Sequence, residues 1–200
     1  MDILAHALWT GAGLALAGRY RPIAPPVAIA TAVVAVLPDV VQMLPILGWW
    51  LLGSGTFAEL KTYAMALPGQ GPVLPPLVDF LSHHLHCITH SAIIAGAITL
   101  MLWVGTRTVW ILLLGWWLHI VIDVFAHSAE YYPVPVLYPF TREGFDGVAW
   151  NEPAFIVSNY VALGAVYWWL ADRVSGVIAS EITTRARKRR SAKRPAQENA

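Results

Sequence analysis

The sequence predicts an all-α fold, a polytopic membrane helical bundle with about five transmembrane helices. Its 200 residues are 57% hydrophobic and only 12% charged, whereas a soluble domain carries roughly twice that charged fraction. Several apolar stretches are long enough to cross, or nearly cross, a bilayer. Many of the ten tryptophans flank these stretches, as in the aromatic belts at membrane–water interfaces.

Five apolar segments supply the predicted helices. The first three are short for a full span of about 20 residues, so we expect their flanking polar residues to lie in the interface. The segments are residues 3–18, 23–37, 91–105, 109–126 and 154–174.

Two regions interrupt these helices. Residues 40–89 join an apolar piece, a stretch rich in glycine, serine and proline, and a histidine-rich stretch, and we predict a re-entrant or interfacial excursion there. Residues 128–152 contain prolines that oppose regular structure, which predicts a loop. The predicted organisation is a single membrane-embedded metal-binding domain, residues 1–180, followed by a basic cytoplasmic tail, residues 181–200.

The charge of the tail orients the predicted bundle. Residues 181–200 contain seven Lys or Arg residues and two Glu residues. Such a tail can bind nucleic acid or anionic lipid, but directly after an apolar helix it is typical of a cytoplasmic anchor. We therefore predict a multi-pass membrane protein with a cytoplasmic C-terminus, membrane lipid as its partner and no nucleic acid partner. This orientation places Asp39, Asp123 and most histidines in the outer half or the outer loops.

His119, Asp123 and His127 recur every fourth residue inside a very apolar run. On a helix this spacing puts them on one stripe. Ionisable groups inside a membrane are costly and mark functional sites, and imidazole and carboxylate are metal ligands. Eight helical residues rise about 12 Å, so all three cannot bind one ion. Either two adjacent ions lie along the stripe, or one member orients another ligand.

Other candidate groups lie in three further clusters. Asp2 and His6 are four residues apart, and Asp39 follows Pro38. A single membrane histidine is often only a hydrogen-bond partner between helices, and Asp39 could cap a helix. The single cysteine excludes a cysteine-rich metal site. The third cluster contains His83, His84, His86 and His90, of which the adjacent pair points about 100° apart on a helix.

Five short motifs occur in one order along the chain. They are Asp2-x-x-x-His6, Leu37-Pro38-Asp39, Thr89-His90-Ser91, Leu118-His119-x-x-x-Asp123 and Tyr138-Pro-Phe140. Together they resemble the YdjM-type inner-membrane metal-dependent hydrolases over residues 1–152. Residues 127–135 and 145–150 are similar to one subgroup of that family. The family is in turn distantly similar to zinc-dependent phospholipase C and related single-strand nucleases, which are helical enzymes that hold a cluster of zinc ions.

The resemblance implies a membrane-bound hydrolase, with zinc as the expected divalent metal and phosphoester or lipid-like substrates at the outer face of the inner membrane. Family members often have a histidine where this chain has Leu85, and His86 or His84 could substitute for it. Asp123, Asp39 or Glu130 could act as the general base. The implied ligands are His6, Asp39, His90, His119 and Asp123, with His86, His127 and Glu130 as weaker candidates.

Three other functions stay open from the sequence. The same histidines and aspartates could conduct a metal ion or protons in a transporter. His90 and His119 could be the axial ligands of a haem in an electron carrier. A non-catalytic metal-binding membrane protein is the third alternative.

Overall fold

The computed structural model describes residues 1–66, 70–108, 110–130 and 132–193, of which 174–193 are described by their backbone alone. These ranges contain seven α-helices and no β-strand, which confirms the all-α prediction. The chain divides into two compact units, Met1–Val161 and Ala162–Ala200. The predicted domain boundary at residue 180 stays a prediction. The helices are α1 (Ile3–Ala17), α2 (Pro25–Leu52), α3 (Phe57–Met65), α4 (Pro76–Thr89), α5 (Ala92–Thr106), α6 (Leu112–Ala126) and α7 (Pro153–Lys193).

Two or three of these helices could cross a membrane. The whole of α2 and the segment Pro153–Arg173 of α7 are long and apolar enough to do so. The consecutive helices α4 and α5 bend by 56° and together could form one broken span. With 15 residues each, α1 and α6 extend only about 22 Å. The predicted number of five membrane spans is therefore not confirmed, although an apolar helix occupies each of the five predicted segments.

The course of α2 differs from the prediction. We predicted a span ending at residue 37 and an excursion beginning at residue 40, but α2 continues to Leu52. Pro38 and Pro45 lie inside it. Each proline removes only one backbone donor, and membrane helices tolerate this where neighbouring groups satisfy the freed carbonyl. Asp39 consequently lies in the interior of α2, not at its end. A re-entrant or interfacial excursion in the chain after α2 stays a prediction.

The short helix α3 begins with a reciprocal cap. The Glu59 amide donates to the Thr56 hydroxyl at 3.2 Å, and the Thr56 amide donates to the Glu59 carboxylate at 2.8 Å. Hydrogen bonds from the Thr56 side chain and backbone lower the pKa of Glu59. This cap fixes the start of α3 after the irregular stretch that follows α2. Helix α3 packs against α2.

The first unit has a polar interior and an apolar exterior. Large apolar side chains face outward, among them Val33, Leu52 and Phe125. This inversion of a soluble fold is expected when the surroundings are lipid. Within the described residues, the fully or almost fully buried polar side chains are His6, Thr10, Thr31, Asp39, Ser82, His86, His90, Ser91, His119, Asp123, His127 and Asn151.

Helices α2 and α6 cross closely at Gly115. A Cβ atom at this position would lie 2.1 Å from the Thr31 carbonyl oxygen and 3.0 Å from the Ala35 nitrogen. Only glycine lets the two backbones approach this far. The crossing brings His119, one turn further along α6, beside the backbone of α2.

The chain between α6 and α7 contains no helix or strand over residues 132–152, as its prolines predict. It instead supplies hydrogen bonds that helix ends lack. The Val136 carbonyl accepts from the Ala92 amide in the first turn of α5, at 2.9 Å. At the end of α6, loop amides donate to the last carbonyls in three bonds: Gly147 to His127 at 2.9 Å, Val148 to Phe125 at 3.0 Å and Trp150 to Ala126 at 2.9 Å.

Gly115→Ala should destabilise the protein by about 1–3 kcal/mol, because the added methyl group overpacks the crossing of α2 and α6. The matched control is Gly48→Ala, since a Cβ at that position in α2 meets nothing within 4 Å. Thermal unfolding in detergent should give a lower midpoint for Gly115→Ala than for Gly48→Ala. Equal midpoints would show that the close crossing is not required.

Candidate metal centre

Asp39, His90, His119 and Asp123 converge in the interior, and one ligand atom from each lies within 4.8 Å of those of the others. His90 Nε2 is 3.0 Å from His119 Nε2. Both nitrogens lie near Asp39 Oδ1, at 3.7 and 3.8 Å, and near Asp123 Oδ2, at 3.4 and 3.2 Å. A group of this kind could hold a metal ion.

These separations match the edges of a small coordination polyhedron. Four ligands at about 2.0–2.2 Å in a tetrahedron are about 3.3–3.6 Å apart. The five distances that join the two imidazoles to each other and to the carboxylates run from 3.0 to 3.8 Å. These distances are close to those of a tetrahedral site, and the ligand atoms of all four groups lie within 4.8 Å of one another, so one ion could contact all four.

Three sections of the chain supply the four groups. Asp39 comes from α2, whereas His119 and Asp123 are four residues apart on α6. His90 is the C-cap of α4, at the bend between α4 and α5. The next residue, Ser91, caps α5 by accepting from the Ile94 amide, and its hydroxyl donates to the Tyr138 carbonyl at 2.6 Å. The motif around His90 therefore holds the bend that directs this imidazole inward.

Backbone carbonyls determine which nitrogen of each imidazole faces the centre. His119 Nδ1 lies 2.7 Å from the Ala35 carbonyl oxygen, and His90 Nδ1 lies 3.0 Å from the His86 carbonyl oxygen. A carbonyl oxygen only accepts, so each Nδ1 carries the proton and donates it. The lone pair of each imidazole then lies on Nε2, which is the atom that faces the other ligands. Hydrogen bonds of this kind commonly orient metal-binding histidines.

The facing Nε2 atoms require a positive charge between them. Two lone pairs 3.0 Å apart repel one another, and two carboxylates add negative charge beside them. A shared proton would join only two of the four groups. A divalent cation could contact all four, and the two carboxylates would balance its charge inside the low-dielectric interior.

His6 contacts this group without completing its own hydrogen bonds. Its Nε2 lies 3.0 Å from Asp123 Oδ1 and 3.8 Å from Asp39 Oδ2, and its ring stacks on His119 with centroids 3.9 Å apart. Neither ring nitrogen has a partner of hydrogen-bond geometry among the described residues. The distance makes His6 a neighbour of the centre, and its role as a ligand stays a prediction.

His127 approaches from the end of α6. Its Nδ1 donates to the Tyr132 carbonyl at 2.8 Å, and its Nε2 is 3.6 Å from Asp123 Oδ2. The amino group of Met1 contacts Asp123 Oδ1 and lies 3.3 Å from His127 Nε2. His119 belongs to the four-residue group and His127 does not; that the two histidines cannot share an ion stays a prediction.

Gln42 also contacts the centre and was not among the predicted site residues. It lies three residues after Asp39 on α2, donates to Asp39 Oδ1 at 3.3 Å and accepts from His86 Nδ1 at 2.6 Å. The amide thus links a ligand carboxylate to a second buried histidine. A polar residue at this helical spacing from an intramembrane aspartate is a signal that could have identified it.

The remaining predicted residues lie outside the four-residue group. His86 is buried, with its ring centroid 4.1 Å from that of His90, and its Nε2 has no partner among the described residues. His83 is exposed, while His84 contacts the Tyr138 hydroxyl at 3.3 Å. Glu130 is exposed in the chain after α6. Its catalytic role, and ligation by His86 or His127, stay predictions.

A cavity of about 340 Å³ lies next to the centre and includes Asp39 and His127 in its wall. Gln42 and Tyr63 also line it. The centre is therefore buried but lies beside a space large enough for a small ligand.

No family model, no curated protein and no solved structure matches the chain. The resemblance to YdjM-type hydrolases stays a prediction, and the candidate centre is supported by its own geometry.

Gln42→Leu should weaken zinc binding by about 10- to 100-fold, the usual effect of removing a residue that orients metal ligands. The reason is that Asp39 and His86 would each lose a hydrogen bond. Affinity is measured in detergent by competition with a zinc indicator. Met43→Leu, at the next position on α2, is the control and should keep the wild-type affinity. Equal affinities in the two variants would exclude an orienting role for Gln42.

Proposed function

We propose that this protein is a membrane-bound, metal-dependent hydrolase of phosphoester or lipid-like substrates, with zinc held by Asp39, His90, His119 and Asp123. The observation that carries the proposal is the pair of oriented Nε2 lone pairs, 3.0 Å apart, beside two carboxylates and a cavity. Two nitrogen and two oxygen ligands in a four-coordinate arrangement suit zinc.

Zinc in this position would supply Lewis acidity, which lowers the pKa of water and stabilises charge that develops on a phosphoryl or carbonyl oxygen. The protein's own part is proton transfer and positioning. Asp39 Oδ2 accepts no hydrogen bond from the described residues, and Asp39 lines the cavity. We therefore assign to this oxygen the acceptance of a proton from the attacking water. Asp123 and Glu130 are the other candidate bases.

We propose that the site opens toward the outer face of the inner membrane. The cavity is lined by the start of α1 and the second half of α2. The opposite ends of α1 and α5 lie next to Arg19, Arg21 and Arg107. Basic residues favour the cytoplasmic side, which supports an outer location for the cavity and, with the charge of residues 181–200, a cytoplasmic C-terminus.

A metal or proton transporter is the principal alternative function. It needs polar groups that continue past the centre toward the other side of the membrane. The turn of α6 before His119 offers Gly115, Trp116 and Leu118, and the facing turn of α2 offers Thr31 and apolar residues. One turn after His6, α1 adds the buried hydroxyl of Thr10. Thr10 and Thr31 carry no ionisable group past the centre, which favours hydrolysis over passage.

His119→Ala and Asp123→Ala should each abolish stoichiometric zinc binding and hydrolysis of bis-p-nitrophenyl phosphate, because each removes a ligand from the buried group. Elemental analysis of the purified protein measures zinc, and nitrophenol release measures hydrolysis. His84→Ala is the control, since this histidine lies outside the group, and it should retain both properties. Unchanged zinc content in both ligand variants would refute the assigned centre. Full zinc binding in the wild type without hydrolysis of either this diester or a bilayer phospholipid would refute the hydrolase but leave the centre intact.

A further inference from the structure

We infer that the cavity beside the metal centre holds a hydrocarbon chain of a membrane lipid. The inference rests on the proposed function, which it deepens by naming the substrate class as an amphiphile whose chain occupies the cavity while its polar linkage lies at the centre. A water-soluble phosphoester is the competing class.

The first observation is that much of the cavity lining is apolar. Apolar side chains from three helices and a loop contribute to it, whereas the polar lining includes groups that contact or form the centre. A volume of about 340 Å³ is within the range of ligand sites. The apolar contributors include Ile3, Leu4, Met43, Ala64, Met65 and Trp150.

The charge of the lining is the second observation. In the described part of the chain, no lysine or arginine side chain lines the cavity, and its charged side chains are Asp2 and Asp39. Proteins usually bind soluble phosphoesters with arginine or lysine, which neutralise the phosphate oxygens. Met1 also lines the cavity, but its amino group contacts the Asp123 carboxylate, so the lining suits a neutral chain better than a second anionic group.

Exposed apolar residues at the cavity provide the third observation. Leu4 is 57% exposed and Met65 54% exposed, and both line the cavity. A chain that moves from the bilayer into the cavity exchanges one apolar environment for another, because lipid tails are as apolar as leucine side chains. Entry therefore carries no desolvation cost, whereas a polar head without partners would incur one. Asp39, Gln42 and His127, which also line the cavity, are the groups that could pair with the polar head.

Photolabelling in nanodiscs tests this assignment. The bilayer contains a small fraction of a phospholipid with a diazirine in its acyl chain, and mass spectrometry maps the labelled peptides after illumination. Met43→Trp fills the cavity, whereas Leu44→Trp adds the same group to a 53% exposed neighbour outside the lining. We expect labelling of Tyr63 and Ala64 to fall about tenfold in Met43→Trp, the equivalent of about 1.4 kcal/mol of occupancy. In Leu44→Trp it should stay at the wild-type level.

The label at Leu52, which is 91% exposed, is the internal reference for contact with bulk lipid. Equal labelling of Tyr63 and Ala64 in the two tryptophan variants would overturn the inference. Ala64→Leu is a milder filling variant, read at Tyr63, that keeps the test decisive if Met43→Trp fails to fold. Zinc content is measured on the same samples. Zinc content reports occupancy of the metal centre, and labelling of Tyr63 and Ala64 reports occupancy of the cavity by a lipid chain. The failure of one proposal can therefore be distinguished from the failure of the other.

Discussion

The hydrogen bond between His119 Nδ1 and the Ala35 carbonyl oxygen, at 2.7 Å, is the constraint on which the centre depends. It is possible because Gly115 lets α6 approach the α2 backbone, where any Cβ would collide with the Thr31 carbonyl. The bond fixes both the tautomer and the direction of the imidazole, so the lone pair on Nε2 faces His90. Asp123, one turn further on α6, then faces the same point. The backbone geometry of one helix crossing thus determines two of the four candidate ligands.

The buried carboxylates and imidazoles require a compensating charge in the interior. Two carboxylates and several imidazoles lie buried behind an apolar exterior, and each ionised group removed from water costs several kcal/mol unless it is paired. Hydrogen bonds to Ala35, His86 and Gln42 satisfy one side of these groups. The other sides converge on one point. The Met1 amino group contacts Asp123 Oδ1. A divalent cation at the point of convergence would balance both carboxylates and link the stability of the bundle to its proposed chemistry.

Local spacing predicted part of this centre. His119 and Asp123 could be paired from the sequence because a helix brings residues four apart onto one face, and the boundaries of α1 and α5 followed their apolar runs. The continuation of α2 through Pro38 was not predictable in this way, because proline usually marks a helix boundary. The spacing of Gln42 from Asp39 is local, but its contact with His86 depends on the packing of α2 against α4, which no local pattern specifies. The same limit applies to Glu130, whose position depends on a loop.

X-ray absorption at the zinc edge of the zinc-loaded protein tests the central claim most directly. The account predicts a first shell of nitrogen and oxygen at about 2.0–2.2 Å, with the outer-shell scattering of two imidazole rings. His119→Ala should lose the scattering of one ring or fail to retain zinc. A first shell without imidazole scattering, or one that contains sulfur, would contradict the assignment of the centre to Asp39, His90, His119 and Asp123.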